Sequence, residues 1–224
     1  VTEILGGLGW NREVLMGWAN KIGRQGQTIH EVRNPKADAG SLAHHLIECD
    51  LTDVPYEETE EYATADGNMQ TLARWSLESW RNWWYGRRNE GWELVEAELP
   101  MLDDDAGYAG TVDLILRDPA GELVVADIKT GSPHAEAVIQ MAGYADLYQA
   151  TRGETPHFGL LLHVPTDGRH LTPHTVPRSL LVAGHEVFAQ LLAISQHKKA
   201  FADFGKVLRE NTPAVKPVEG KHPF

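Results

Sequence analysis

Asp113, Asp127 and Lys129 have the residue types and spacing of a site for phosphate chemistry. Asp113 lies in TVDLIL, and Asp127 and Lys129 lie in LVVADIK, two apolar segments separated by Asp118-Pro119-Ala120-Gly121. Pro presets φ and Gly tolerates positive φ, so the stretch between them predicts a β-hairpin turn. Counting outward with Arg117 facing Glu122, Asp113 falls opposite Ala126 or Asp127, according to whether the loop counts as four residues or three. Side chains alternate along a strand, so Asp127 and Lys129 share a face and Ile128 points to the other. Carboxylates on apolar strands cost folding free energy unless a cation or a hydrogen-bond donor sits between them. A hard divalent cation meets that need, and Mg²⁺ is favoured because it accepts one or two carboxylates and keeps several waters. Lys129 beside it would orient or deprotonate an attacking water and stabilise the charge developing on a phosphate. For an isolated D-x-K, a plain salt bridge between Lys129 and an aspartate would be the better reading, and the wider pattern is what tips the balance.

The elements that must position these residues follow from periodicity. Strands are predicted at Trp92 to Leu99, Gly110 to Arg117 and Glu122 to Lys129, with a further strand at Phe158 to Val164 and another near Leu171 to Val176. Helices are predicted at Trp10 to Ile22, Ala37 to Cys49, Asn68 to Arg88, His134 to Ala150 and roughly Ala183 to Leu208. Leu77, Trp80 and Trp84 recur at helical spacing as packing residues, while Arg74, Arg81, Arg87 and Arg88 could give that helix a phosphate-facing side. The acidic stretch Asp50 to Glu61 reads as a solvated loop or helix start, and the last dozen residues as a surface tail. The expected architecture is α/β (α+β), a central mixed sheet flanked by helices, in one domain over 1–224. Its parts would be a mainly helical 1–90, a core sheet and helix over 91–165, and a strand, helix and tail over 166–224.

The chain has 224 residues, 42% hydrophobic and 23% charged, with a net charge of −12. That composition is ordinary for a compact globular protein. The negative charge argues against binding nucleic acid by bulk electrostatics, although divalent cations restore positive charge locally at carboxylate sites. One cysteine, Cys49, excludes an internal disulfide and by itself an iron–sulfur cluster. No apolar run approaches the roughly 18–20 residues that span a bilayer, and VTEILGGLGW lacks the pattern of a secretion signal, so a cytoplasmic protein with no membrane partner is expected. No G-x-x-x-x-G-K-[ST] occurs, so ATP is not expected as a cofactor.

Several further motifs fall in a familiar order. Glu98 occurs in ELP, Asp113 in AGTVD, Asp127-Ile128-Lys129 in ADIKTG, and Gln140 with Tyr144 in QMAGY; upstream stands Gly40-Ser41-Leu42-Ala43-His44. In this order the chain resembles the PD-(D/E)XK nuclease superfamily, and more narrowly its RecB-like branch, which includes CRISPR-associated and many phage exonucleases. Ser41 replaces the Thr of the branch's G-T-x-x-H. VTEIL and Leu15-Met16-Gly17-Trp18-Ala19 more loosely resemble the start of phage RecB-like nucleases and of mitochondrial genome maintenance exonucleases. The resemblance covers most of Val1 to Tyr148.

The resemblance implies a restriction-endonuclease-like core and a role for each matched residue. Asp113, Asp127, the Ile128 carbonyl and His44 would ligate Mg²⁺ or Mn²⁺, and Lys129 would handle the water. Glu98 would bind a second metal or hold a metal-associated water, with Glu96 as its rival, and His45 is the rival to His44 because adjacent helix residues point about 100° apart. Gln140 and Tyr144, four apart on one helix face, would present to the scissile phosphate or to Lys129 as part of a polar stripe with Glu136 and Tyr148. Lys21, Arg24, Arg33 and Lys36 could form a basic path, whereas His134, His163 and His185 receive no role. The implied activity is hydrolysis of DNA phosphodiester bonds. Exonucleolytic trimming in phage recombination, repair or end processing is favoured, which would place the protein in the host cytoplasm with DNA ends as partner and leave room for a homo-oligomer or a recombination or replication protein. A structure-specific endonuclease and a catalytically inactive DNA-binding or assembly protein are the alternatives.

Overall fold

The computed structural model describes residues 1–8, 20, 21, 24, 25 and 35–211, with side chains omitted at 35–37 and at several positions of the last helix. Most of the helix expected at Trp10 to Ile22, together with Arg33, the Lys36 side chain and the tail, lies outside the described residues. Among the described residues the chain runs through α1 (Thr2–Leu5), α2 (Pro35–Leu51), a 3-10 turn (Tyr56–Glu58), α3 (Glu60–Thr64) and α4 (Gly67–Asn89). It continues through β1 (Glu93–Asp103), β2 (Tyr108–Arg117), β3 (Leu123–Lys129), α5 (Glu136–Arg152), β4 (Phe158–His163), β5 (Thr172–Val176) and α6 (Arg178–Asn211).

The five strands form one sheet in the order β1-β2-β3-β4-β5. Pairing is antiparallel except between β3 and β4, which run parallel and are joined by the crossover helix α5. This is the expected mixed sheet covered by helices. On one face Leu114, Leu116, Val124, Ala126 and Ile128 pack with Leu46 and Ile47 of α2 and Leu77 and Trp80 of α4. On the other, Ile115, Val125 and Leu161 pack with Met141, Tyr144 and Leu147 of α5 and Phe188 of α6. β3 lies in the middle and is buried on both faces until Lys129. Burial on both faces is why it reads as a continuous apolar run rather than an alternating one.

The turn between β2 and β3 settles the count. Asp118 N–H donates to the Glu122 carbonyl (3.0 Å), and the Asp118 carboxylate accepts the amides of Ala120 and Glu122. Gly121 takes φ +86°, so the loop is the three residues Pro119 to Gly121. Arg117 therefore pairs with Leu123, not with Glu122 as the four-residue count had it. The last helix begins at Arg178, earlier than the expected Ala183, and β1 extends past Leu99 to Asp103 because it forms a second hairpin with β2. Trp80 and Trp84 are buried and stacked, with centroids 5.7 Å apart, which makes them packing residues. Asp50 is also part of the folded body, for it accepts Arg81 Nε (2.6 Å) and Trp80 Nε1 (3.2 Å). Arg87 pairs with Glu90, so the phosphate-facing row expected on α4 is partly spent on intramolecular contacts.

Candidate active site

The β1–β2 register places Ala97 opposite Leu114 and Leu99 opposite Val112, so Glu98 stands at the level of Asp113. The β2–β3 register ends with Leu114 opposite Ala126, so one further step brings Asp113 level with Asp127. Three carboxylates thus form a row across three neighbouring strands. At that step the ladder gives way to a side-chain bond, in which Ile128 N–H donates to Asp113 Oδ2 at 2.7 Å. Glu98 has φ +45°, a conformation that a non-glycine residue adopts at a cost of about 1–3 kcal/mol. A Val95 bulge between Leu94 and Glu96 sets the register that brings it there.

His44 comes to the row from α2. A Cβ on Gly40 would collide with the Thr130 hydroxyl at the end of β3, so only glycine lets α2 approach this closely. One turn later, His44 reaches the backbone of Ile128 and the charges of Lys129 and Asp127. His44, Glu98 and Asp113 each offer a ligand atom within 4.8 Å of the others. His45 turns away, toward Thr59 Oγ1 (3.0 Å) and a separate cleft of about 420 Å³ shared with Glu61 and Asp66. Glu96 is held by Arg152 at 3.1 Å, outside the carboxylate row.

Lys129 lies on the same face as Asp127, and its ammonium is 2.9 Å from Oδ1 and 2.7 Å from Oδ2 of that residue. It also donates to Gln140 Oε1 (3.1 Å), and Gln140 Nε2 donates to the Tyr144 hydroxyl (2.9 Å). Tyr144 fits against β2 because a Cβ on Gly110 would meet its ring at 2.8 Å. The polar stripe expected on α5 is therefore split. Gln140 reaches the lysine, while the rings of Tyr144 and Tyr148 are buried in the core.

The electrostatics are those of crowded, desolvated acids. Burial, then the charge of Asp113, pushes Asp127 up to about 7. Glu98 rises to about 7, again from burial and then from Asp113, and burial also raises Asp113 itself. Burial and the nearby Lys129 lower His44, which keeps its ring neutral with a lone pair to offer. Asp127 Oδ2 is buried and, despite its closeness to Lys129, has no hydrogen bond of acceptable geometry. A buried carboxylate, two further acids and a neutral imidazole form a donor set that fits a divalent cation.

A family model described as the PD-(D/E)XK nuclease superfamily matches residues 18–216. The chain belongs to that superfamily, whose members are nucleases dependent on divalent metal. In the solved structures, a "Putative exonuclease" from Eubacterium rectale is similar in fold, with a TM-score of 0.54 at 12% identity over 84% of this chain and 78% of the other. SSO0001, 14% identical over 80% of this chain and 86% of its own, has a TM-score of 0.32. No curated protein matches.

The sequence reading missed the strained backbone of Glu98 and the contact of Gly40 with Thr130. A positive φ at a glutamate has no signal in composition, whereas the glycine four residues before His44 was visible without its reason.

Proposed function

We propose that this protein is a metal-dependent deoxyribonuclease, in which Asp113, Asp127, His44 and the Ile128 carbonyl would ligate Mg²⁺ or Mn²⁺ and Glu98 would bind a second metal or hold a metal-associated water. The observation that carries the reading is the level row of Glu98, Asp113 and Asp127 with His44 on one side and Lys129 on the other. A divalent cation held there supplies Lewis acidity toward a phosphate oxygen and lowers the pKa of water. The chain's own residues do the rest. Lys129, fixed by Asp127 and Gln140, orients the attacking water and faces the charge that develops on the phosphate. Gln140 and Tyr144 hold the ammonium in place rather than touching the reacting atoms. Neutral His44 adds a ligand without adding charge.

Within this reading, exonucleolytic trimming of DNA ends is the favoured mode, and phage-type recombination, repair or end processing is the favoured setting. Both rest on the resemblance to the RecB-like branch. End-labelled linear DNA and closed circular single- and double-stranded DNA, incubated with Mg²⁺, Mn²⁺ or EDTA, test it. Metal-dependent loss of linear DNA with circles intact is expected. Cutting of circles would favour an endonuclease, and no cutting with either metal would favour a binding protein.

A further inference from the structure

The net charge of −12 poses a problem for a protein that must hold a phosphate backbone. Several described arginines are committed to carboxylates away from the site: Arg81 to Asp50, Arg117 to Glu154 and Arg152 to Glu96. A different group, one arginine with two histidines, borders the site. Val164 N–H donates to the Lys129 carbonyl at 2.8 Å, so the connection from β4 to β5 leaves the sheet directly beside the lysine. The register pairs Lys129 with His163 and His163 with Thr172, which puts the His163 side chain on the Lys129 face. Burial, then the charges of the nearby Arg169 and His174, lower His163, so its ring is a neutral hydrogen-bonding group and Arg169 is the cation of the cluster. Arg169 is 71% exposed, and its guanidinium is shared with Asp167, an exposed neighbour in the same turn that a phosphate can displace.

An aromatic ring lies under the same turn, at the residue before Arg169. Trp75 of α4 packs beneath Gly168, where a Cβ would lie 3.8 Å from the indole, yet Trp75 stays 42% exposed. The turn is anchored to α4 by Ser76 Oγ donating to the Pro165 carbonyl (3.1 Å) in a buried bond. A fixed turn that combines an arginine and imidazole N–H groups with an open indole has the chemistry that holds an unpaired strand, with phosphates on Arg169 and the imidazoles and a base on the ring.

We propose that the β4–β5 connection, through Arg169 with His163 and His174 and with Trp75 beneath the turn at Gly168, holds a single-stranded segment of nucleic acid leading to the scissile phosphate. The proposal rests on the nuclease reading for the position of that phosphate, but its test does not depend on cleavage. Fluorescence anisotropy of end-labelled single-stranded and duplex oligonucleotides, with Ca²⁺ in place of Mg²⁺, measures binding across a salt series. Arg169→Ala is expected to weaken binding and to reduce the salt slope by roughly 0.7, the value of one phosphate contact on a single strand. Trp75→Leu, which keeps an apolar side chain under Gly168, is expected to lower single-strand affinity roughly tenfold and to leave duplex affinity nearly unchanged. Arg169→Glu, on an exposed turn where folding is not at stake, should weaken binding further, and Asp167→Asn should strengthen it. Wild-type affinity and salt slope in both Arg169 variants, with no strand preference lost in Trp75→Leu, would overturn the proposal. If the wild type binds by this surface but cuts no DNA, the catalytic reading fails and the binding surface stands. If it cuts DNA and these variants bind normally, the reverse holds.

Discussion

Asp113 Oδ2 accepts the backbone N–H of Ile128 at 2.7 Å, which ties β2 to the strand carrying Asp127 and Lys129 at the point where their ladder ends. One carboxylate therefore serves two purposes, an acceptor for a buried amide and a candidate metal ligand. Asp113→Asn keeps an acceptor and should unfold at or above the wild-type temperature in EDTA while losing the metal-induced gain in stability. Asp113→Ala leaves the amide unpaired and should cost about 1–3 kcal/mol. Chemical denaturation of both variants with and without Mn²⁺ checks this. Equal stability of the two variants in EDTA would remove the structural half of the account.

The raised carboxylates set the sign of a pH dependence. Between the usual aspartate value and about 7, folded protein binds more protons at Asp127 than unfolded chain does. Stability of the metal-free protein should therefore fall as pH rises through that window and level off above it. In Asp127→Asn this loss is absent. The variant should melt above the metal-free wild type at pH 8, by at least the ~3 °C that 1 kcal/mol produces in a chain of this size. The two should converge below about pH 4, where the carboxyl is protonated in both states. Calorimetry at pH 4, 6 and 8 in EDTA reads this directly, and a wild type that gains stability relative to the variant on going from pH 6 to 8 would contradict it.

Gly40 and Thr130 should be coupled. Gly40→Ala drives a methyl into the Thr130 hydroxyl, and overpacking of this kind costs about 1–3 kcal/mol. Adding Thr130→Ala removes the colliding oxygen, so the double variant should recover stability and metal binding that Gly40→Ala lost. Additive losses across the double-mutant cycle would mean that α2 tolerates the methyl by another route.

The two adjacent histidines separate cleanly. His44→Ala should weaken Mn²⁺ binding in titration calorimetry, whereas His45→Ala, which loses contacts with Thr59, Cys49, Glu48 and Glu61, should bind Mn²⁺ like wild type. The opposite ranking would assign the ligand to His45.

Much of this site was legible because the signals are local. The hairpin turn carried Pro119 and Gly121 in order, and two-residue alternation put Lys129 with Asp127 and Ile128 in the opposite core. The exact loop length stayed open, since one residue decides which partner faces Asp113, and the answer depended on Asp118 and Glu122 closing the turn. What was not legible involves tertiary approach. Arg152 claims Glu96 across a gap of 56 residues, and Arg81 draws Asp50 into the fold, so neither acid behaves as its local sequence suggests. Tyr144 and Tyr148 read as a polar stripe because helical spacing shows which residues share a face but not how deeply that face is buried.

The central claim is that His44, Asp113 and Asp127 hold one divalent ion beside Lys129. Anomalous diffraction from crystals grown with Mn²⁺ tests it most directly. The expected result is a strong peak bounded by His44, Asp113, Asp127 and the Ile128 carbonyl, retained in Lys129→Ala and lost in Asp113→Asn. A Mn²⁺-saturated crystal whose peak lies elsewhere, or whose peak survives Asp113→Asn unchanged, would contradict it.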